Sequence, residues 1–332
     1  MSIISFSPPR AYISGTGYNV PARVVGNDYF ASYLETSDEW IRDRTGIAER
    51  RWVAPEESAS SLALPACQKA LVAAGISPAE VDGIIVATCT ADYVFPSTAC
   101  VLQHKLGIAG CLAFDVNAVC SGFLYALSVA SSMMSGGVYR NLLVVGVDLF
   151  SRIIDKQDRS TCILFGDGAG AVVLSRTEEQ RGILSYELGA DGSMGDLLCV
   201  KKGSAREVSA ESLATSEHYL SMNGREIFKL AVRAGVESGQ KLCSAIGIMP
   251  SDIDYMVFHQ ANQRILAAVG KQLGLSGEQV LSNVERYGNT SAASIPLLMA
   301  EFFERGVLKP GQLILLGAFG GGVTWGGMLL RL

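Results

Sequence analysis

The chain has 332 residues, more than one hydrophobic core usually organises, so two similar lobes or one large domain are expected. With 49% hydrophobic and 18% charged residues it has the composition of a compact protein, not of a disordered tail or linker. A formal net charge of −5 without a concentrated basic stretch argues against nucleic-acid binding, and membrane spanning is not expected because Pro8, Pro9 and Arg10 interrupt the apolar N-terminus and no segment nears the ~20 apolar residues required. A cytoplasmic location is therefore expected.

Apolar runs of strand length recur between longer helical patterns. In chain order they are GIIVAT from Gly83, CLAFDV from Cys111, NLLVVGV from Asn141 and AGAVVLS from Ala169, then YMVFHQ from Tyr255, VLSNV from Val280, QLILLGAF from Gln312 and MLLRL from Met328. The alternation predicts an α/β fold. Between the two sets, the segment from about Arg181 to Leu220 is weakly periodic and rich in Gly, Ser and Glu, and is expected to cap a site. This divides the chain into an N-terminal half (1–180), a capping insertion (181–220) and a C-terminal half (221–332).

The halves resemble each other. AAGISPAEVDGIIVAT from Ala73 and SAIGIMPSDIDYMVFHQ from Ser244 share a template in which Gly75 matches Gly247 and Asp82 matches Asp254. Each copy continues through a helix ending in Leu-Gly (Leu106-Gly107 and Leu273-Gly274) to a strand ending near Gly146 or Gly317. A duplicated unit places equivalent loops together. Those loops carry Cys120 in the first half and His259 and Asn289 in the second.

Eight cysteines, at 67, 89, 100, 111, 120, 162, 199 and 243, form no C-x-x-C pair and no cluster with the three histidines, so no metal site or redox dithiol is expected. Most sit in apolar runs and read as small core residues. Cys120 lies in FDVNAVCSGFLYALSVASSMM, where a strand-like run yields to a small-residue turn and then a helix. A sulfur at that helix N-terminus is expected to have a lowered pKa. Taken singly, Cys120 still reads as core, His259 as a satisfied strand-end histidine and Asn289 as the N-cap of the following helix.

Jointly, TSDEWIRDRTGIAER (Thr36 to Arg50), VFPSTAC (Val94 to Cys100), FDVNAVCSGF, FGDGAGAVVL (Phe165 to Leu174), FHQAN (Phe258 to Asn262), RYGNTSAASIP (Arg286 to Pro296) and AFGGGVTWG (Ala318 to Gly326) are similar to the β-ketoacyl-acyl carrier protein synthase III family of the thiolase superfamily, in family order along nearly the whole chain. The resemblance implies a thiolase-like fold of two pseudo-symmetric α/β halves in a five-layered α-β-α-β-α arrangement. It implies a catalytic triad of Cys120, His259 and Asn289, acting through an acyl-cysteine intermediate. The expected reaction is a decarboxylating Claisen condensation of a short acyl-coenzyme A with malonyl-acyl carrier protein, initiating fatty acid synthesis. Backbone N–H groups of Cys120 and of Gly321, in the Gly320-Gly321-Gly322 loop, would form an oxyanion hole. That loop has no second cysteine, which disfavours the non-decarboxylating chemistry of degradative thiolases.

The same resemblance assigns coenzyme A binding to Trp40, Arg44, Arg159 and Asn262, and the acyl pocket to Phe95, Leu197 and Phe319, with Phe95 reaching across a homodimer interface. Acyl carrier protein docking is expected at Lys229, Arg233, Arg264 and Lys271, spaced to line helices near the site entrance. No cofactor is expected besides the thioester substrates. Two other readings stay open on these residues: a specialised family relative using a different starter in secondary metabolism, and a noncatalytic thiolase-fold subunit.

Overall fold

The structure is a computed structural model that describes residues 3–7, 10–203 and 205–332. The expected Pro8-Pro9 break falls outside the described residues. The main strands are β1 (Ile4–Ser5), β2 (Arg10–Asn19), β3 (Gly83–Ala87), β4 (Leu112–Val116), β5 (Asn141–Leu149), β6 (Asp167–Thr177), β7 (Gly182–Ala190), β8 (Tyr255–Phe258), β9 (Leu313–Gly320) and β10 (Thr324–Arg331). The principal helices are α1 (Asp38–Thr45), α2 (Ala59–Ala74), α3 (Gly122–Ser135), α4 (Gly224–Ala245), α5 (Gln263–Leu273) and α6 (Ser294–Glu304). Among the described residues no helix is long and apolar enough to cross a membrane.

Two five-stranded sheets result, ordered β2-β6-β5-β3-β4 and β1-β7-β10-β9-β8. The duplication is visible in their pairing. In the first sheet β3 runs parallel to both β4 and β5, and β6 runs antiparallel to both β5 and β2. In the second, β8 is parallel to β9, and β10 is antiparallel to β9 and β7. The strand expected at VLSNV, which would match β4, shrinks to a single parallel bridge between Val280 and Met256. The chain turns away after Leu281, and Asn283 N–H is taken by the Gln260 side chain 3.1 Å away, before another strand bond can form.

Strand composition follows from burial on both faces. Along β5, Leu142 and Val144 point into one apolar cluster while Leu143, Val145 and Val147 point into another. A strand covered on both sides has no polar alternation to display, which is why these strands read as continuous apolar runs. In β9, Ile314 and Leu316 join the central cluster and Leu313 and Leu315 the outer one. Helices α3 and α6 lie between the sheets, α2 covers the outer face of the first, and α4 and α5 cover the second. The five-layered thiolase-like arrangement is therefore present.

The segment expected to be a cap starts instead as structure. Residues 182–190 form β7, a member of the second sheet between β1 and β10. Only the residues after β7, a turn at Gly192–Leu197 and a small ribbon of Leu198–Val200 against Leu220–Met222, lie over the site. The weak periodicity of this stretch hid the strand because β7 carries Ser185, Glu187 and Gly189 among its apolar residues.

Close approach between α6 and the first sheet sets the position of the loop before α6. A Cβ at Gly146 of β5 would lie 2.2 Å from the Ala292 carbonyl oxygen, and one at Gly170 of β6 would lie 2.4 Å from Leu297 N. Only glycine lets the backbones meet there. Gly146→Ala should therefore cost about 1–3 kcal/mol by overpacking. The expected result is a lower midpoint in urea denaturation, with wild-type stability as the contrary outcome.

Candidate active site

Three loops meet where the duplication places them. Cys120 sits in a tight turn, Val119–Ser121, at the entrance to α3, with Val119 at φ 47°, a left-handed conformation that a β-branched residue rarely adopts. His259 follows β8 and is anchored by its N–H to Gly317 O at 2.8 Å. Asn289 is held by its own N–H on Leu164 O at 2.8 Å and by Gly166 N–H on its carbonyl at 3.0 Å. All three side chains line one cavity of about 240 Å³. They are 4%, 6% and 6% exposed, so they form its floor.

Each is oriented by a neighbour. Asn289 Oδ1 accepts from Ser291 N–H at 2.9 Å, two residues on. The N-cap expectation does not hold: the N-cap position is Thr290 for the turn Ser291–Ala293 and Ala293 for α6, neither with a side-chain cap, while Asn289 Nδ2 donates to no protein atom among the described residues and is left for the cavity. His259 Nδ1 is in hydrogen-bond contact with Ser294 Oγ at 2.7 Å. Ser291 Oγ lies 3.5 Å from Cys120 Sγ.

The electrostatics overturn one expectation. Burial pushes the Cys120 thiol up to about 12; the Ser291 hydroxyl opposes this and the negative charge of Asp148 adds to it. Desolvation of a thiolate outweighs the field at the turn before α3, so the sulfur rests protonated. Burial likewise pushes His259 down to about 4, with only a weak opposing hydrogen bond to the Ser291 backbone, so its imidazole is neutral. The reactive thiol and imidazole are thus both uncharged, beside the carboxylate of Asp148.

The cavity mouth carries the predicted nucleotide-binding residues. Helix α1 starts at Ser37, whose Oγ accepts from Trp40 N–H at 3.1 Å, and ends at Gly46 in the left-handed region, φ 77°. Arg159 Cζ stands 4.7 Å from the Trp40 ring centroid and Arg44 Cζ 5.8 Å from it. Asn262 also lines the cavity, but both ends of its amide are used: Oδ1 accepts from Arg264 N–H at 2.8 Å, and Nδ2 donates to Arg44 O at 3.1 Å. It joins the start of α5 to the end of α1.

Phe319 lines the cavity as expected, but Leu197 does not. Leu198 takes that place because Leu197 ends the preceding turn, where its carbonyl accepts from Asn223 N–H at 2.8 Å. Phe95 is outside its own chain's cavity, 84% exposed beside Val94 at 87% and Tyr93 at 60%. The Gly320-Gly321-Gly322 loop packs against the nucleophile: a Cβ at Gly320 would lie 2.8 Å from Cys120 N. Lys229 and Arg233 lie on α4, and Arg264 and Lys271 on α5, which packs beside it. Lys229 is paired with Glu226 at 2.8 Å, and Arg233 lines a separate small cavity with Glu187 and Glu237. Ser291 and Ser294, inside the GNTSAAS stretch, were missed because serines in a small-residue turn carry no signal of which group they face.

Because His259 is neutral when folded and titrates near its ordinary value of 6.5 when unfolded, it stabilises the protein fully above pH 6.5, and that contribution is lost as pH falls toward 4. The unfolded state binds the extra proton in that window. His259→Gln should flatten the fall in unfolding free energy between these limits by about 3 kcal/mol. Parallel denaturation curves for both proteins would contradict this.

A family model described as 3-Oxoacyl-[acyl-carrier-protein (ACP)] synthase III matches residues 114–192, and its C-terminal counterpart matches residues 243–332. The chain is 49% identical over 319 residues to the Beta-ketoacyl-[acyl-carrier-protein] synthase III of Xanthomonas campestris, covering 96% of this chain and 97% of that protein. It is 47% identical over 322 residues to that of Roseiflexus sp., covering 97% and 98%. The solved 3-oxoacyl-[acyl-carrier-protein] synthase III of Aquifex aeolicus superposes with a TM-score of 0.90 at 43% identity, over 97% of this chain and 100% of that one. The priming beta-ketosynthase of the R1128 polyketide pathway gives 0.91 at 31% identity, over 99% and 98%.

Proposed function

The chain belongs to the β-ketoacyl-acyl carrier protein synthase III family, and we propose that it joins a short acyl-coenzyme A to malonyl-acyl carrier protein by decarboxylating condensation through acyl-Cys120. The observation that carries this is the convergence of Cys120, His259 and Asn289 on the floor of one buried cavity whose mouth bears Trp40 and Arg159. The initiating role in fatty acid synthesis is favoured over a specialised pathway because the curated relatives at 46–49% identity carry that name, whereas the polyketide priming enzyme stands at 31%.

In the first half-reaction the Cys120 sulfur attacks the thioester carbonyl, the carbon–sulfur bond to coenzyme A breaks, and the thiol proton ends on the departing coenzyme A. One thioester replaces another, so little free energy changes. The neutral resting thiol is compatible with this, since the proton travels with the exchange. The N–H groups of Cys120 and Gly321 would hold the tetrahedral oxyanion. In the second half-reaction malonyl thioester loses carbon dioxide and leaves an enolate. With Ser294 donating to His259 Nδ1, the ring proton sits on Nε2, and Nε2–H with Asn289 Nδ2–H can donate to the enolate oxygen. A neutral imidazole with its proton on Nε2 can serve as such a donor. The enolate carbon then attacks acyl-Cys120, and the sulfur leaves.

Incubation with acetyl-coenzyme A should add one acyl mass to Cys120. His259→Ala should abolish malonyl decarboxylation, a loss of at least about 100-fold for one oxyanion donor, while part of the acylation survives. An unmodified Cys120 across a panel of short acyl donors would sink the proposal.

Coenzyme A contact at Trp40, Arg44 and Arg159 is supported by the stacked arrangement at the mouth. For Asn262 the support is positional, through its hold on α1. Docking of acyl carrier protein is supported by the exposed Arg264 and Lys271 on α5; Lys229, paired with Glu226, and Arg233, exposed beside Glu187 and Glu237, contribute less. A cytoplasmic homodimer is part of the proposal. Its support is the bare Tyr93-Val94-Phe95 segment, an apolar surface of the kind that marks an interface. The protein should sediment as a dimer at micromolar concentration, and Phe95→Ala should alter the preference among acyl chain lengths. A monomeric wild type would refute the assembly.

A further inference from the structure

One buried residue touches every member of the triad. Ser291 has no solvent exposure and holds a left-handed backbone, φ 51°, which a non-glycine residue adopts only where its surroundings impose it. Its N–H donates to Asn289 Oδ1 at 2.9 Å, its Oγ donates to Cys120 Sγ at 3.5 Å, and its backbone lies close enough to the His259 ring to oppose the fall in that pKa. The buried carboxylate of Asp148 lies near the same hydroxyl, which helps hold its pKa down. A hydroxyl has one proton and two lone pairs, so it cannot donate to both neighbours at once.

The Ser291 hydroxyl donates to Cys120 Sγ at 3.5 Å, and this contact becomes a stronger, charge-assisted bond when sulfur carries an electron pair. We propose that Ser291 is a fourth catalytic residue, whose hydroxyl stabilises sulfur as the Cys120 thioester forms and breaks. This rests on the reading of Cys120 as the acyl-carrying nucleophile. In the condensation step the acyl carbon–sulfur bond breaks with its pair on Sγ, Ser291 O–H donates to that sulfur, and a proton from solvent restores the thiol. Asp148 keeps the following turn in place by accepting from Ala292 N–H at 3.2 Å.

The left-handed backbone supplies the discriminating experiment. Ser291→Ala removes the hydroxyl and keeps the backbone demand, whereas Ser291→Gly removes the hydroxyl and relieves it. Alkylation of Cys120 by iodoacetamide, acylation by acetyl-coenzyme A and decarboxylation of malonyl-acyl carrier protein are measured from pH 6 to 10. Loss of a charge-assisted hydrogen bond shifts a thiol by about one pH unit, so both variants should alkylate and acylate about tenfold more slowly at a fixed pH below the midpoint. Decarboxylation should fall by a clearly smaller factor, because the Ser291 N–H that orients Asn289 is kept. Rescue of the rates by Gly but not Ala, or an equal fall in all three measurements, would assign Ser291 a backbone role and overturn the proposal. If the wild type is not acylated at all, the condensing function fails, while the alkylation comparison still decides the Ser291–Cys120 interaction.

Discussion

A carboxylate buried with no cationic partner among the described residues holds the floor of the site together. Asp148, at the end of β5, has no solvent exposure, and its Oδ1 accepts from Cys89 N–H at 2.8 Å and from the hydroxyls of Thr88 and Thr90 at 3.1 and 2.9 Å. Its Oδ2 accepts from Ala292 N–H at 3.2 Å. Burial raises its pKa while the surrounding donors lower it. An ionisable group so placed survives only when its lone pairs are satisfied. In satisfying them, the protein ties the loop after β3 in one half to the turn before α6 in the other. Gly146, two residues earlier on the same strand, brings the Ala292 backbone close enough for that bond.

The same burial that makes Asp148 an anchor gives the site its chemical character. Burial leaves Cys120 and His259 neutral, one pushed up to about 12 and the other down to about 4. For a nucleophile working alone this would be a handicap. For thioester exchange it is suitable, because the leaving thiol carries the proton away, and for enolate stabilisation a neutral N–H donor in a low-dielectric pocket is worth more than one in water. Local strain belongs to the same design. Val119 and Ser291 both occupy the left-handed region, immediately beside the nucleophile and two residues after Asn289, and the packed loops around them sustain it.

Much of this was legible in advance. Strands β3, β5, β6, β8, β9 and β10 all fall on apolar runs, because a strand buried on both faces announces itself by composition alone. The repeated Gly and Asp positions revealed two units, and their superposition put Cys120 opposite His259 and Asn289. What escaped was local and relational. β7 was hidden by its polar residues, and the run at Val280 had the composition of a strand but too short a stretch before the chain turned. Leu198 replaced Leu197 through a one-residue phase that composition does not encode. The lowered thiol pKa inferred from the helix start ignored depth of burial, a property of the assembled protein.

The amino-acid sequence by itself determined the fold class, the duplication and which side chains are the candidates for reaction, because periodicity, composition and residue chemistry are carried by each segment alone. Tertiary structure decided what those side chains are: that the thiol and imidazole are neutral, that the Asn289 amide is turned by Ser291, and that Asp148 lies beneath them. Each of these depends on groups distant along the chain being brought within a few ångströms and stripped of water, and no local stretch of sequence records that.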